Sequence, residues 1–191
     1  MPRFALALVA AVFAAPAFAQ LDPQKALASM KAGDGLQVEL FAHEPMVLNP
    51  TSLDVDHLGR VWVAEAVNYR RKNFNRPILR TEGDRIQVLI DEKGEGKATK
   101  AVTFYQGNDL YGPLSVCVIP TGKGLRVLVA QSPDILEFTC KDATNPVADG
   151  PPKKFLTGFG GFDHDHGVHG LHLGPDGKLY FTVGDQGLKG L

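Results

Sequence analysis

The chain has 191 residues, 44 % of them hydrophobic and 21 % charged, with 21 acidic side chains against 20 basic ones. That is enough for one domain of ordinary size. A formal net charge of −1 lacks the basic footprint of a nucleic-acid binder, so nucleic acid is excluded as an expected partner.

The first segment, MPRFALALVAAVFAAPAFAQ, has Arg3, an apolar run over 4–13 and an Ala17-Phe18-Ala19 ending. This is the layout of a secretory signal peptide, residues 1–19, cleaved after Ala19. The mature protein then begins at Gln20 and is expected in the periplasm or outside the cell. No later segment approaches the roughly 20 apolar residues of a membrane span. Asp22 followed by Pro23 is an N-cap with proline in the first helical position, which predicts a short helix over 23–32, stopped by Gly33 and Gly35. Residues 20–35 are thus a helix and linker. From 36 to 191 the pattern is different: period-two, β-branched runs bounded by Gly, Pro, Asn and Asp. The chain is all-β, and GLQVELFA (35–42) reads as an isolated first strand.

Three runs resemble one another: SLDVDHLGRVWVAEA (52–66), LSVCVIPTGKGLRVLVAQS (114–132) and GLHLGPDGKLYFTVGDQ (170–186). Each is strand, Gly-containing turn, strand. Aligned on Arg60, Arg126 and Lys178 they are offset by 66 and 52 residues, and further strands such as DRIQVLI and DILEFTC lie between them. Four-stranded meanders repeated in this way predict a β-propeller, with a sandwich of the same strands as the alternative. The chain would hold about two and a half blades, the truncated N-terminal portion of a longer propeller, with 35–42 as the outermost strand of a closing blade.

Cys117 and Cys140 fall on the first and third strands of one unit. Two strand spacings place them roughly 9.6 Å apart, beyond the roughly 7 Å that a disulfide tolerates. Two buried free thiols are expected.

Connections in a meander alternate between the two ends of the strands, which sorts the polar residues. One end takes the turns at 56–59, 91–97, 120–123 and 174–177, whose Gly, Pro and Asp suit turn chemistry. The turn at Asp91 also has acidic residues and glycine at calcium-loop spacing, but Lys93 stands where a ligand is needed. A hairpin turn is the better reading. The other end collects Glu65, the basic loop with Arg70, Arg71, Lys72 and Arg76, the connection through Asn108 and Asp109, the histidine segment, and Asp185 and Gln186. Function gathers on loops of a rigid scaffold, so this is the candidate active end. Its basic loop suits either an anionic ligand or a solvated charge run.

The histidine segment FDHDHGVHGLHL (162–173) carries four of the six histidines. His164 and His166 point the same way on an extended backbone, a grouping open to metal binding but matching no specific metal motif. One imidazole facing the cleft with a carboxylate to orient it would serve as a general base, and Asp165 adjoins His166. His172, between Leu171 and Leu173, is expected to pack between blades.

DHGVHGLHLGPDGKLYFTVGDQG (165–187) resembles the corresponding stretch of the soluble quinoprotein glucose and sorbosone dehydrogenases, and PTSLDVDHLGRVWVAEA (50–66) resembles their opening blade. The layout is also similar to that of large exported bacterial propellers known as membrane-bound dehydrogenases, many of which end in a c-type haem domain. The resemblance implies a six-bladed propeller that uses pyrroloquinoline quinone (PQQ) to oxidise a sugar or other alcohol. It implies Asp165 and His166 as the catalytic pair, with His166 taking the hydroxyl proton. Glu65, Asp109, His164, His169, Asp185 and Gln186 would surround substrate or cofactor. Calcium contacts would come from later blades, and haem from a downstream domain. Two other readings stay open: a noncatalytic propeller that binds or scaffolds within a larger haem-containing protein, and a metal-dependent, lactonase-like hydrolase.

Overall fold

The computed structural model describes residues 21–161, 166–185 and 187–188. The segment expected to be a signal peptide, residues 1–19, and His164, Asp165 and Gln186 lie outside the described residues. The fold divides into two units, residues 1–39 and 40–191.

In the first unit the described structure is one helix, α1 (Pro23–Ser29). Asp22 caps it by accepting from the backbone N–H of Gln24 at 3.1 Å and of Lys25 at 3.2 Å. No residue of this helix is buried, so its cap and Pro23 supply its local support. It ends before the predicted 32, because Met30 already has extended backbone.

The second unit is built of antiparallel sheets. The strands β1 (Pro50–Val55), β2 (Val61–Glu65), β3 (Asp84–Ile90) and β4 (Lys100–Gly107) form one meander. A second contains β5 (Ser115–Thr121), β6 (Gly124–Gln131), β7 (Asp134–Cys140) and β8 (Lys153–Thr157), and β9 (Val168–Leu173) pairs with β10 (Leu179–Val183) as a hairpin. The segment 35–42 begins in a turn at Gly35 and joins no ladder among the described residues. Alternating side chains alone do not make a strand; a partner must take its N–H and C=O groups.

One core lies between the two meanders. Trp62, Ala64, Ile86, Val88 and Phe104 of the first face Val116, Val127, Val129 and Phe138 of the second. Trp62 and Phe104 meet edge to face at 4.9 Å, and Phe104 and Phe138 at 5.8 Å. The second core, Cys117, Leu128, Ala130, Ile135, Val168 and Leu171, joins the opposite face of β5–β7 to β9. The middle sheet is therefore covered on both faces, which is why β6 reads as a continuous apolar run rather than an alternating one. Cys117 and Cys140 are free, buried, and face different cores. Burial pushes the Cys117 thiol up to about 11.

First strands sit side by side: β1 touches β5, and β5 touches β9. Side chains of one strand close the open backbone of the next. Ser52 Oγ accepts from Val116 N at 3.3 Å and Asp54 Oδ2 from Val118 N at 2.7 Å, each 64 residues away. Ser115 Oγ repeats this with Leu171 N at 2.9 Å, 56 residues away.

A further expectation needs correction. His172 is exposed: its neighbour Leu171 points into the second core, so alternation turns His172 outward, where no described residue covers it. The Asp91 turn is a self-satisfied loop, with Oδ1 accepting from the N–H groups of Lys93, Gly94 and Glu95 and Oδ2 from Gly96. Those bonds occupy the lone pairs that a cation would need; desolvation works against the carboxylate, but the four bonds together outweigh it and hold the carboxyl below the usual range.

Candidate functional site

The connections at the loop end enclose a cleft of about 780 Å³. Asn68, Lys72 and Ile78 of the β2–β3 loop form part of its wall. Asp109 and Leu110 of the β4–β5 connection, and Gln131, Ser132 and Pro133 at the β6–β7 turn, form more of it, with Phe159 to Gly161 at one edge. A volume in this range suits a small-molecule ligand.

The walls are held together by hydrogen bonds of polar side chains. Asn68 accepts from Leu79 N and Arg80 N and donates to the Arg80 carbonyl, closing the basic loop on itself. Asp84, fully buried, accepts from Asn68 N at 2.9 Å and Gly112 N at 2.8 Å and so ties the β2–β3 loop to the β4–β5 connection. Burial outweighs those bonds and raises its carboxyl above the usual range. Tyr111 ties the same two segments by accepting from Lys72 N. Gln131 reaches across from the second meander, donating to the Asp109 carbonyl at 2.9 Å and accepting from Tyr111 N at 2.5 Å.

Asp109 is exposed on the cleft wall. The Tyr105 hydroxyl lies 2.7 and 2.8 Å from its two oxygens. Burial, reinforced by this carboxylate, pushes the Tyr105 phenol up to about 12. One hydroxyl supplies one proton, so the carboxylate keeps acceptor capacity toward the cleft.

His166 precedes Gly167, which packs on Ser132 and Gly160 of the cleft wall. A Cβ on Gly167 would fall 2.1 Å from Ser132 Oγ. Ser132 Oγ also accepts from Val168 N at 3.1 Å. The β6–β7 turn thus fixes the start of β9. His166 itself has a φ of 57°, and a Cβ on Gly184 would come within 2.6 Å of its backbone. That close approach brings Asp185 alongside, and its Oδ1 stands 2.8 Å from His166 Nδ1. The pair is open to solvent, with side-chain exposures of 60 and 73 %.

Residues 22–190 match a family described as a domain of unknown function, DUF7133. The chain belongs to that family. No curated protein and no solved structure matches it.

Within this DUF7133 chain the sequence-derived candidates separate. Asp109, His166 and Asp185 stand on the loop end with their polar atoms accessible. His169, the second residue of β9, is exposed, with its Nδ1 2.8 Å from the Gly167 carbonyl. Glu65 is fully buried. Its oxygens accept from Leu48 N at 2.8 Å, Arg80 at 2.9 Å and Arg85 at 2.6 Å, an internal ion cluster beneath the loop and away from the cleft. His164, Asp165 and Gln186 are outside the described residues. Sequence reasoning passed over Tyr105, Gln131 and Ser132. Only Gln131-Ser132-Pro133, polar residues closing an apolar strand, carried any signal.

Among the described residues no three His, Cys, Asp or Glu side chains are grouped to hold a metal ion. Nor does the cleft suit PQQ by itself. A planar tricarboxylate taken out of water needs several cations around it. Of the described lining residues only Lys72 is cationic and Asp109 is anionic, while Arg80 and Arg85 are committed to Glu65. The described residues do not fit the quinone.

Proposed function

We propose that this chain forms part of an exported β-propeller oxidoreductase that acts on a sugar or other alcohol, with His166 as the general base. The radial reading is supported by the order β1, β5, β9 of neighbouring first strands and by their repeated side-chain bonds at 64 and 56 residues. No helix among the described residues is long and apolar enough to cross a membrane.

The observation that carries the function is the His166–Asp185 contact of 2.8 Å beside the cleft. An exposed ion pair contributes only about 0–1 kcal/mol to stability. A non-glycine residue at positive φ costs about 1–3 kcal/mol, so folding alone gives little reason to hold His166 this way. Catalysis does. Asp185 accepting from Nδ1–H leaves the Nε2 lone pair facing outward, the tautomer a base requires. His166 Nε2 takes the hydroxyl proton as the substrate C–H leaves with its electron pair to a two-electron acceptor. The described residues act only on the proton half. Asp109 binds a neighbouring hydroxyl, and Gln131 positions Asp109 through its backbone.

The test is dye-linked alcohol oxidation by the full chain across a panel of sugars and alcohols. His166→Gln should abolish turnover, and Asp185→Asn should lower kcat by about tenfold to a hundredfold with a smaller change in KM. Wild-type turnover in His166→Gln would eliminate the base assignment.

A further inference from the structure

The loop joining β2 to β3 is mostly basic. Residues 66–83 hold five basic side chains and one acidic one, Glu82, in a chain of net charge −1. Arg80 is neutralised by Glu65 at 2.9 Å. Arg70 lies over the Phe74 ring at 4.5 Å. The ion pairs of the described residues leave Arg71, Lys72 and Arg76 without a carboxylate. Arg71 donates to the Pro77 carbonyl at 3.0 Å, which satisfies an N–H but not a charge. Lys72 and Arg76 are exposed, and Lys72 forms part of the cleft wall. Three like charges on one short loop repel one another, so the fold gains nothing from their company, whereas a basic loop at one edge of a cleft concentrates anions at that edge and not over the whole cleft, whose described lining holds Lys72 as its one cation and Asp109 as its one anion.

The rest of the cleft has different chemistry. Asn108 and Asp109 are exposed; the amide both donates and accepts, and the carboxylate has acceptor sites left after Tyr105 has bonded to it. Ile78 and Pro133 add apolar surface. A ligand matching all three would carry anionic groups on one side, hydroxyls on another, and C–H faces between.

We propose that the cleft binds an acidic glycan, a sugar chain bearing carboxylate or sulfate groups. Its anionic substituents sit at Lys72 with Arg71 and Arg76 alongside, and its hydroxyls at Asn108 and Asp109. The cavity of about 780 Å³ takes an oligomer more readily than a single ring, given that ligand sites run from about 300 to 1,000 Å³. The proposal rests on this end being the substrate end and not on which residue is the base.

Titration calorimetry on the full chain tests it, with an oligouronate, a sulfated oligosaccharide and a neutral oligosaccharide of equal length. At low salt at least one acidic ligand should bind about tenfold or more tightly than the neutral one. Near 1 M salt, where the screening length falls to about 3 Å, that preference should largely vanish. Replacing both Lys72→Gln and Arg76→Gln should cost the acidic ligand about tenfold and leave the neutral one unchanged. A stronger response to oligouronate assigns the anion as carboxylate, and the reverse as sulfate. Equal or tighter neutral binding, acidic binding indifferent to salt, or no binding of any of the three overturns the proposal. An acidic glycan that binds but is never oxidised leaves it standing and removes the oxidoreductase reading. His166-dependent oxidation of neutral sugars, with acidic ones bound no better, does the opposite.

Discussion

The hairpins β1–β2 and β9–β10 use the same device, yet one is core and the other is surface. In the first, Asp56 Oδ2 accepts from Trp62 Nε1 at 2.8 Å and lies 2.6 Å from Arg60. In the second, Asp176 accepts from the Tyr180 hydroxyl at 3.0 Å and lies 3.2 Å from Lys178. A turn carboxylate binds a basic side chain and the polar tip of the aromatic two residues beyond it in both. Trp62 is nonetheless fully buried and Tyr180 is 54 % exposed. The difference comes from the neighbour. The middle sheet packs on Trp62, and Arg60 extends the contact by donating to the Ala143 carbonyl at 2.7 Å; no described residue does this for Tyr180. Local sequence sets the hairpin, and the adjoining sheet sets its energetic weight.

The comparison breaks most clearly at its aromatic. Trp62→Ala should cost about 4 kcal/mol in equilibrium denaturation, since it removes a large buried side chain and its bond to Asp56. Next comes Asp56→Asn, expected at about 3 kcal/mol because Arg60 stays buried without its counter-charge. The same residue governs acid sensitivity. Burial works against the Asp56 carboxylate, but hydrogen bonds from Arg60, Trp62 and the backbone outweigh it and hold the group below the usual range. A depressed carboxylate contributes fully above its unfolded value of about 3.9 and loses that contribution as pH falls through the lower folded value. Denaturation of wild type should therefore steepen below about pH 4, and Asp56→Asn should flatten that limb. At the small end, Tyr180→Ala should change stability by about 0.5 kcal/mol or less. A loss at Tyr180 as large as that at Trp62 would mean that something covers this face in solution.

The strands, both hairpin turns and the separation of the two cysteines were legible because they depend on period and spacing, which are local. The loop end was legible for a similar reason, since connections in a meander must alternate. Glu65 was not: its burial is made by Leu48, Arg80 and Arg85, which arrive from 17, 15 and 20 residues away. His166 shows the same limit. Its sequence neighbour Asp165 was the available carboxylate on paper, whereas the one beside it among the described residues, Asp185, arrives on the far side of a hairpin through the close approach of Gly184. His172 was misplaced because alternation gives two sides but not which of them is covered. The segment 35–42 has the pattern of a strand and lacks a ladder, since hydrogen-bonded pairing belongs to two segments and not to one.

The bonds from Ser52, Asp54 and Ser115 to the backbone of the adjoining first strand have a further effect. Unpaired strand edges recruit other extended chains, and here the N–H groups of Val116, Val118 and Leu171 are already occupied. A stray peptide approaching that side meets side-chain oxygens in place of vacant donors, so each unit protects its successor against cross-β growth.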